Sequence, residues 1–125
     1  NTAKYPDMSL YQQIIFLQHF FAGKWVVENV RPYYAPLITP TQTNGRHVFW
    51  SNFEFMAFDV PQPKGFIQKS NLAGKKAIME WLGIFYDENI YYGSNHCPVQ
   101  ILRNCVHPAV GEHIFLSCYS NSQQP

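Results

Sequence analysis

The sequence predicts an α/β fold, because a helical pattern of apolar residues comes first and short apolar strands follow it. Apolar residues recur at helical spacing from Leu10 to Phe21, which predicts a helix over residues 8–22. The apolar stretch Trp25–Val30 is the next element, a predicted strand, and Arg46–Phe53 alternates like a second strand. With 125 residues and 46% hydrophobic content, the chain suits one domain with a buried core.

Capping and turn residues mark the ends of these elements. Ser9 and Gln12 fit a capping box at the start of the helix, Asp7 is the alternative cap, and Gly23 is the expected stop. The second strand is introduced by the turn residues at 44–45.

The rest of the chain predicts loops and short helices. Three prolines, at 32, 36 and 40, predict a surface loop, and the segment 61–74 is irregular. Further along we expect a helix over Lys75–Leu82, a loop or edge strand over Asp87–Asn95, either helix or strand over Val99–Val106, and a final helix that Pro108 opens and that runs to Tyr119.

Composition limits the class of protein. The net charge of +1 gives no overall field of the kind that attracts nucleic acid. The three cysteines, Cys97, Cys105 and Cys118, form no CxxC pair and favour a reducing compartment, so we expect a cytoplasmic protein. No stretch approaches 18 apolar residues, which predicts no membrane span. The sequence begins with Asn1 rather than Met, so we expect part of a longer protein to precede it.

Glu28 and Asn29 stand at the end of the apolar strand, which is where α/β sheets present functional groups. From the local pattern alone, Glu28 is more often a cap or an ion-pair partner than a catalytic acid.

Three short motifs resemble conserved elements of the DNA cytosine-5 methyltransferase family. "ENV" at residues 28–30 resembles a signature of that family, and "QTNGR" at 42–46 is similar to its QxRxR element, with Asn44 where the first arginine is usual. "RNCVHP" at 103–108 resembles the last element, GNxVxP, with Arg103 in place of the glycine. The motifs occur in the family's order, and the opening segment is most similar to versions carried by phages and mobile elements.

The resemblance covers nearly the whole chain and implies its architecture. It implies the C-terminal part of a Rossmann-like methyltransferase sheet with a small target-recognition segment. Residues 1–58 would belong to the catalytic-domain sheet, residues 59–98 to a reduced recognition segment, and residues 99–125 to the final conserved element and a C-terminal helix.

The resemblance also implies a chemistry. In this family a cysteine thiolate adds to C6 of cytosine, after which C5 accepts a methyl group from S-adenosylmethionine. The target base is first flipped out of double-stranded DNA. By resemblance, Glu28 is the acid at N3 and Arg46 is the cation near O2, which offset the negative charge on the ring. Asn104 and Val106 would lie beside the methionine end of the cofactor.

Two elements of such an enzyme are absent from the sequence. None of the three cysteines follows a proline, as the family's nucleophile does, and the glycines are too far apart for a glycine-rich cofactor turn. We therefore expect this chain alone to be inactive. Three explanations stay open: a portion of a longer enzyme, one subunit of a split enzyme, or an inactive remnant that binds a host defence protein or nucleic acid.

Other side chains suggest further contacts. Lys64, Lys69, Lys75 and Lys76 are candidates for DNA phosphates, although a solvated basic loop is about as frequent. The His and Cys residues between 96 and 118 match no familiar zinc spacing, so no metal is predicted. An aromatic run could stack on bases, but a core role is favoured for its members Phe49, Trp50, Phe53, Phe55 and Phe58.

A half sheet would expose a strand edge and apolar surface. We therefore expect the chain to pair with a complementing N-terminal half, with a copy of itself or with an unrelated target protein.

Overall fold

Four helices and three strands make up the described part of the chain. The computed structural model describes residues 5–67, 69 and 71–121. In chain order the elements are α1 (Met8–Phe20), β1 (Val26–Val30), β2 (Gln42–Asn44), β3 (His47–Ser51), α2 (Leu72–Leu82), α3 (Gln100–Arg103) and α4 (Pro108–Asn121).

The chain divides into two units. The first comprises the described residues of Asn1–Asp59 and His113–Pro125, and the second is Val60–Glu112. The first unit is therefore built from two separate stretches of sequence, and helix α4 is divided between the units. Whether the predicted segments 1–58, 59–98 and 99–125 have their expected functions stays a prediction.

Helix α1 confirms the first predicted element and decides between its two possible caps. The Asp7 carboxylate accepts hydrogen bonds from the Ser9 hydroxyl at 2.6 Å and from the Ser9 backbone N–H at 3.1 Å. Both bonds favour the charged form of the Asp7 carboxyl group and therefore lower its pKa, and the bond from the Ser9 hydroxyl has the larger effect. The helix ends at Phe20, two residues before the predicted end.

The sheet has the order β1-β3-β2, and each neighbouring pair is antiparallel. Strand β1 pairs with β3 from Val26 opposite Ser51 to Val30 opposite His47. A mixed α/β fold is thus confirmed. The described strands do not by themselves form a Rossmann-like sheet, which is built mainly from parallel neighbours. β1 and β2 run in the same direction on either side of β3.

A tight turn joins β2 to β3 one residue later than predicted, because Asn44 belongs to β2 and Arg46, predicted as the start of the strand, belongs to the turn. Asn44 and His47 face each other in the ladder, so Gly45 and Arg46 are the two turn residues. Gly45 has a φ of +59°, and no described non-glycine residue has a positive φ. This combination fits a type II′ turn, in which the first central position requires glycine.

The core of the first unit lies between α1 and one face of the sheet. Leu10, Tyr11 and Ile14 of α1 pack with Trp25, Val48 and Trp50. The Trp50 indole N–H donates to the Ile38 carbonyl at 2.8 Å, and its ring meets Tyr11 edge-on.

The opposite face is covered by the segment after β3, where Phe55 packs edge-on against Phe49. The predicted core role is therefore confirmed for Phe49, Trp50, Phe53 and Phe55, whereas Phe58 is partly exposed and stacks on His113.

The second unit packs α2 and α3 around Phe66, Ile78, Leu82, Val99 and Leu102. Helix α2 starts at Leu72, earlier than predicted, because the Asn71 side chain caps it by accepting from the Gly74 N–H.

Two uncertain segments of the second unit are now assigned. The Val99–Val106 segment contains the short helix α3, and the 87–95 segment is a loop with one isolated bridge, Tyr92 to Asn95. Pro108 is the first residue of α4, as predicted. Within the described ranges, no helix combines the length and the apolar character needed to cross a bilayer.

Candidate functional site

Glu28 occupies the middle of β1, directly opposite Phe49 of β3. Opposing residues share a face of an antiparallel sheet, so Glu28 lies on the face that carries Phe49 and His47. The Glu28 Oε1 atom is buried and has no hydrogen-bond partner among the described atoms. The His47 Nε2 atom is 3.6 Å away, within ion-pair range but too far for a hydrogen bond.

Burial raises the pKa of Glu28 above the ordinary glutamate value of 4.5. The cause is desolvation, which disfavours the carboxylate relative to the neutral acid. The side chain keeps 32% of its surface exposed, so it is both partly desolvated and reachable. Such a group can hold a proton at a higher pH than an ordinary surface glutamate, which is the property expected of a general acid.

Replacing Glu28 with glutamine is expected to stabilise the first unit at neutral pH, because it removes a partly desolvated charge. Between the unfolded and the raised folded pKa, the folded protein binds more protons than the unfolded chain. Stability of the wild type should therefore fall as pH rises through this window, while Glu28→Gln loses that component. Urea unfolding monitored between pH 4 and pH 8 measures the difference.

The matched control is Glu80→Gln, because Glu80 is exposed on α2. It should change stability little at any pH in the series. Equal pH profiles for wild type and Glu28→Gln would contradict the expected role of burial.

Arg46, the second predicted catalytic residue, lies in the turn before β3. Its carbonyl accepts the Arg31 backbone N–H at 2.8 Å. Phe49 is the strand partner of Glu28, and Arg46 lies three residues before Phe49 in the chain. Three residues of extended strand separate the two backbone positions by about 10 Å. The nearer neighbour identified for Glu28 is His47, which the sequence analysis did not single out. Alternation along β3 indicates its face, but the register with β1 cannot be read from sequence. The role of Arg46 stays a prediction.

The amides of the "QTNGR" element have a structural task. Gln42 donates through Nε2 to the Phe55 carbonyl, and Asn44 donates through Nδ2 to the Phe58 carbonyl, both at 2.6 Å. They fasten the segment after β3 across the sheet. The asparagine in place of the family's usual arginine is therefore used by the fold.

The predicted cofactor residues lie in the second unit, where Asn104 follows α3 and Val106 is half-buried in the link to α4. The Asn104 side-chain oxygen accepts from the Gln100 amide at 3.0 Å. The neighbouring Arg103, where the family has glycine, is buried and donates to the carbonyls of Phe66 and Lys69. The grouping of Asn104 and Val106 with Glu28 stays a prediction.

The four predicted DNA-binding lysines differ in exposure. Lys64, Lys69 and Lys76 are exposed, whereas only 4% of Lys75 is accessible. The Lys75 ammonium group donates to the Asp87 and Glu88 carbonyls and to the Asn89 side chain, and it lies 4.6 Å from the centre of the Tyr86 ring. Lys75 is thus engaged inside the second unit, which leaves the other three as candidates for phosphate contacts.

Helix α1 also carries apolar side chains on a second, exposed face. Exposed apolar surface is what the sequence predicts for this chain. Met8, Ile15, Phe16 and Phe20 are each between 46% and 77% exposed. The helix contains no Asp, Glu, Lys or Arg, so no formal charge other than a protonated His19 could interrupt this face. Apolar side chains of this kind mark an interaction site where they form a contiguous exposed patch.

Within the residues that the structure describes, no three His, Cys, Asp or Glu side chains converge to hold a metal ion. Comparisons with protein-family models, curated proteins and solved structures find no match to this chain. Its functional assignment therefore depends on the side chains described above.

Proposed function

We propose that this chain is the C-terminal part of a DNA cytosine-5 methyltransferase and that Glu28 is the acid that contacts N3 of a flipped cytosine. The observation that carries the proposal is the carboxyl group of Glu28, with its raised pKa and its buried Oε1, which has no hydrogen-bond partner among the described atoms and lies 3.6 Å from His47 Nε2. Cytosine N3 is a hydrogen-bond acceptor, so it needs a protonated carboxyl as its partner. A raised pKa favours that form.

The finer, Rossmann-like part of the proposal requires a mixed sheet in which the missing half supplies the parallel strands. Large sheets, including those of many doubly wound folds, are often mixed rather than purely parallel. β1 and β2 run in the same direction with β3 reversed between them, and β1 has one neighbour among the described strands. The missing half would continue the sheet from the outer edge of β1.

The tasks of this chain's residues follow from the proposal. Glu28 would hold a proton against cytosine N3, with His47 near its other side, and Arg46 would offset charge near O2. The exposed lysines Lys64, Lys69 and Lys76 would contact DNA phosphates without reading sequence.

S-adenosylmethionine would supply the methyl group in the completed enzyme. The residues present do not form a site for it by themselves, because the chain has no glycine-rich turn. Asn104 and Val106 would contribute only after the missing half is added.

The test is binding of a duplex with one cytosine opposite an abasic site, where the base is unpaired and easily flipped. Fluorescence anisotropy should show tighter binding of this duplex than of one with thymine there, because thymine N3 carries a hydrogen and cannot accept. The preference should weaken as pH rises through the pKa of Glu28.

The variant Glu28→Gln shows whether the pH dependence of the cytosine preference comes from the Glu28 proton. Glutamine keeps a hydrogen-bond donor at every pH, so this variant should keep the cytosine preference and lose its pH dependence. Glu28→Ala should lose the preference at every pH. Equal affinity of the wild type for the cytosine and thymine duplexes would refute the assigned role of Glu28.

A second candidate function is favoured by the apolar outer face of α1. In that case the chain is an inactive methyltransferase-derived protein that binds a protein partner, such as a host defence protein, through Ile15, Phe16 and Phe20. A Phe16→Glu/Phe20→Glu variant should then lose partner binding while Glu28→Gln keeps it. The methyltransferase proposal predicts that Glu28→Gln changes the pH dependence of DNA binding.

A further inference from the structure

The outer edge of β1 is open to another strand. The Arg31 N–H bonds to the Arg46 carbonyl and the Asn52 N–H bonds to the Trp25 carbonyl, so odd-numbered residues face β3. Hydrogen-bonded pairs alternate along an antiparallel ladder, so the even-numbered residues turn their backbone groups away from β3. Among the described residues, nothing hydrogen-bonds the backbone N–H or C=O of these outward residues, which are Lys24, Val26, Glu28 and Val30.

The extended conformation continues before β1 because Asn52 holds it. The Asn52 side chain accepts from the Trp25 N–H and donates to the Gly23 carbonyl, both at 2.9 Å. Lys24, between these two residues, is exposed. The open edge therefore begins at Lys24, before the first residue of β1.

The exposed part of this edge carries opposite charges at its two ends. Lys24 and Val26 are exposed, with 38% of Val26 accessible, while the Glu28 side chain is 32% exposed. Side chains two residues apart share a face of a strand, so all three lie on one side. When two copies of the segment Lys-Trp-Val-Val-Glu run antiparallel, the lysine of each copy lies opposite the glutamate of the other.

We propose that β1 pairs antiparallel with β1 of a second copy of this chain, about a two-fold axis at Val26. In this register Lys24 of each copy faces Glu28 of the other, and Val26 faces Val26. Three pairs of outward residues exchange backbone hydrogen bonds, two in each pair. The two copies would share one continuous sheet with β2 at each end.

Charge favours this register over the one centred on Glu28. A register centred on Glu28 would set two carboxylates directly opposite each other, which is destabilising across a strand pair. It would also use Val30, which is less exposed than Val26. Centring on Val26 uses the more open end of the edge and makes two cross-strand ion pairs.

The inference does not rest on the proposed function. Self-pairing would hold Glu28 as a carboxylate beside Lys24 of the second copy, whereas cytosine binding needs the protonated acid. A strand from a missing half would use the same edge, so the two associations exclude each other.

Sedimentation equilibrium over a concentration series tests the pairing. The wild type should dimerise reversibly, and Lys24→Glu and Glu28→Lys should each weaken the dimer by about tenfold or more, because two attractive pairs become repulsive. The double variant Lys24→Glu/Glu28→Lys restores opposite charges across the axis, so it should dimerise again to within about threefold of the wild type.

A backbone variant and a charge control complete the experiment. Val26→Pro removes an outward N–H without touching the ladder to β3, so it should abolish the dimer while circular dichroism stays native. Lys76→Glu changes charge equally on an exposed residue of the second unit and should leave the dimer unchanged. A monomeric wild type, a dimer that survives Val26→Pro, or a double variant as weak as the single ones would overturn the proposal.

The outcome is separable from that of the proposed function. Lys24→Glu leaves Glu28 in place, so the cytosine preference can be measured on this variant without dimerisation. Loss of the dimer with an intact cytosine preference supports the pairing and keeps the methyltransferase assignment. A wild type that dimerises as expected beside a monomeric Lys24→Glu variant with no cytosine preference refutes only that assignment.

Discussion

Replacing Trp50 with alanine is expected to remove about 3–5 kcal/mol from the stability of the first unit. Trp50 is 1% exposed, packs against Tyr11 and Ile14, and donates its indole N–H to the Ile38 carbonyl. The change leaves a cavity in the core and a carbonyl without its donor. Since small domains are stable by only about 5–15 kcal/mol, the sheet should be largely unfolded in mild urea. Urea titration followed by far-UV circular dichroism measures the loss.

Two variants calibrate that result. Trp50→Phe keeps a ring in the core but loses the bond to Ile38, so its cost should be clearly smaller. Phe20→Ala removes another large aromatic side chain from a site that is 77% exposed and should cost less than about 1 kcal/mol. Equal unfolding midpoints for Trp50→Ala and Phe20→Ala would contradict the packing described for α1 and the sheet.

Replacing Lys75 with methionine is expected to cost about 2–3 kcal/mol, even though lysine is usually a surface residue. Methionine keeps the aliphatic stem but leaves the Asp87 and Glu88 carbonyls and the Asn89 side chain without the ammonium donor. The attraction of the ammonium group for the Tyr86 ring is lost as well. We expect the 87–89 loop to loosen, which hydrogen exchange would detect as faster exchange there and in α2.

The adjacent residue supplies the control for this variant. Lys76 is exposed and differs from Lys75 by one position on the same helix. Lys76→Met should change stability by less than about 0.5 kcal/mol. The two variants should also separate in DNA binding, because only the exposed lysine can reach a phosphate. A Lys75→Met protein as stable as Lys76→Met would contradict the structural role of the buried ammonium group.

Elements that have strong local sequence signals were predicted well. The period of the apolar residues predicted α1, with Asp7 as the alternative to the capping box, proline at the first helical position predicted the start of α4, and the asparagine–glycine pair predicted the turn before β3 to within one residue. Each signal acts within a few residues along the chain, so the sequence carries it directly.

Strand pairing was harder to predict, because it depends on residues far apart in sequence. The antiparallel order β1-β3-β2 and the position of His47 beside Glu28 follow from a register that no local pattern encodes. Lys75 was grouped with surface lysines because composition cannot reveal a loop that folds over one ammonium group. The acceptors at 87–89 are brought to the Lys75 ammonium group only by the folded chain.

The candidate site came from motif resemblance, and the structure separates its residues by task. Glu28 has the desolvated environment that an acid needs. The two departures from the family pattern, Asn44 and Arg103, are both engaged in holding neighbouring backbone. Asn44 and Arg103 thus show that a residue at a motif position can serve the fold, so the position alone does not assign chemistry.

The discontinuous first unit has a consequence for the order in which the protein forms on the ribosome. The second unit is complete once Glu112 has been synthesised. The first still lacks His113, whose ring bonds to the Met56 carbonyl and stacks on Phe58, 55 positions earlier in the chain. The earlier stretch of the first unit therefore lacks the His113 contacts to its segment at 56–58 while the second unit folds. Nascent chains held so that Glu112 has left the ribosome exit tunnel and His113 has not should protect the second unit from protease and leave the segment at 55–58 open to cleavage.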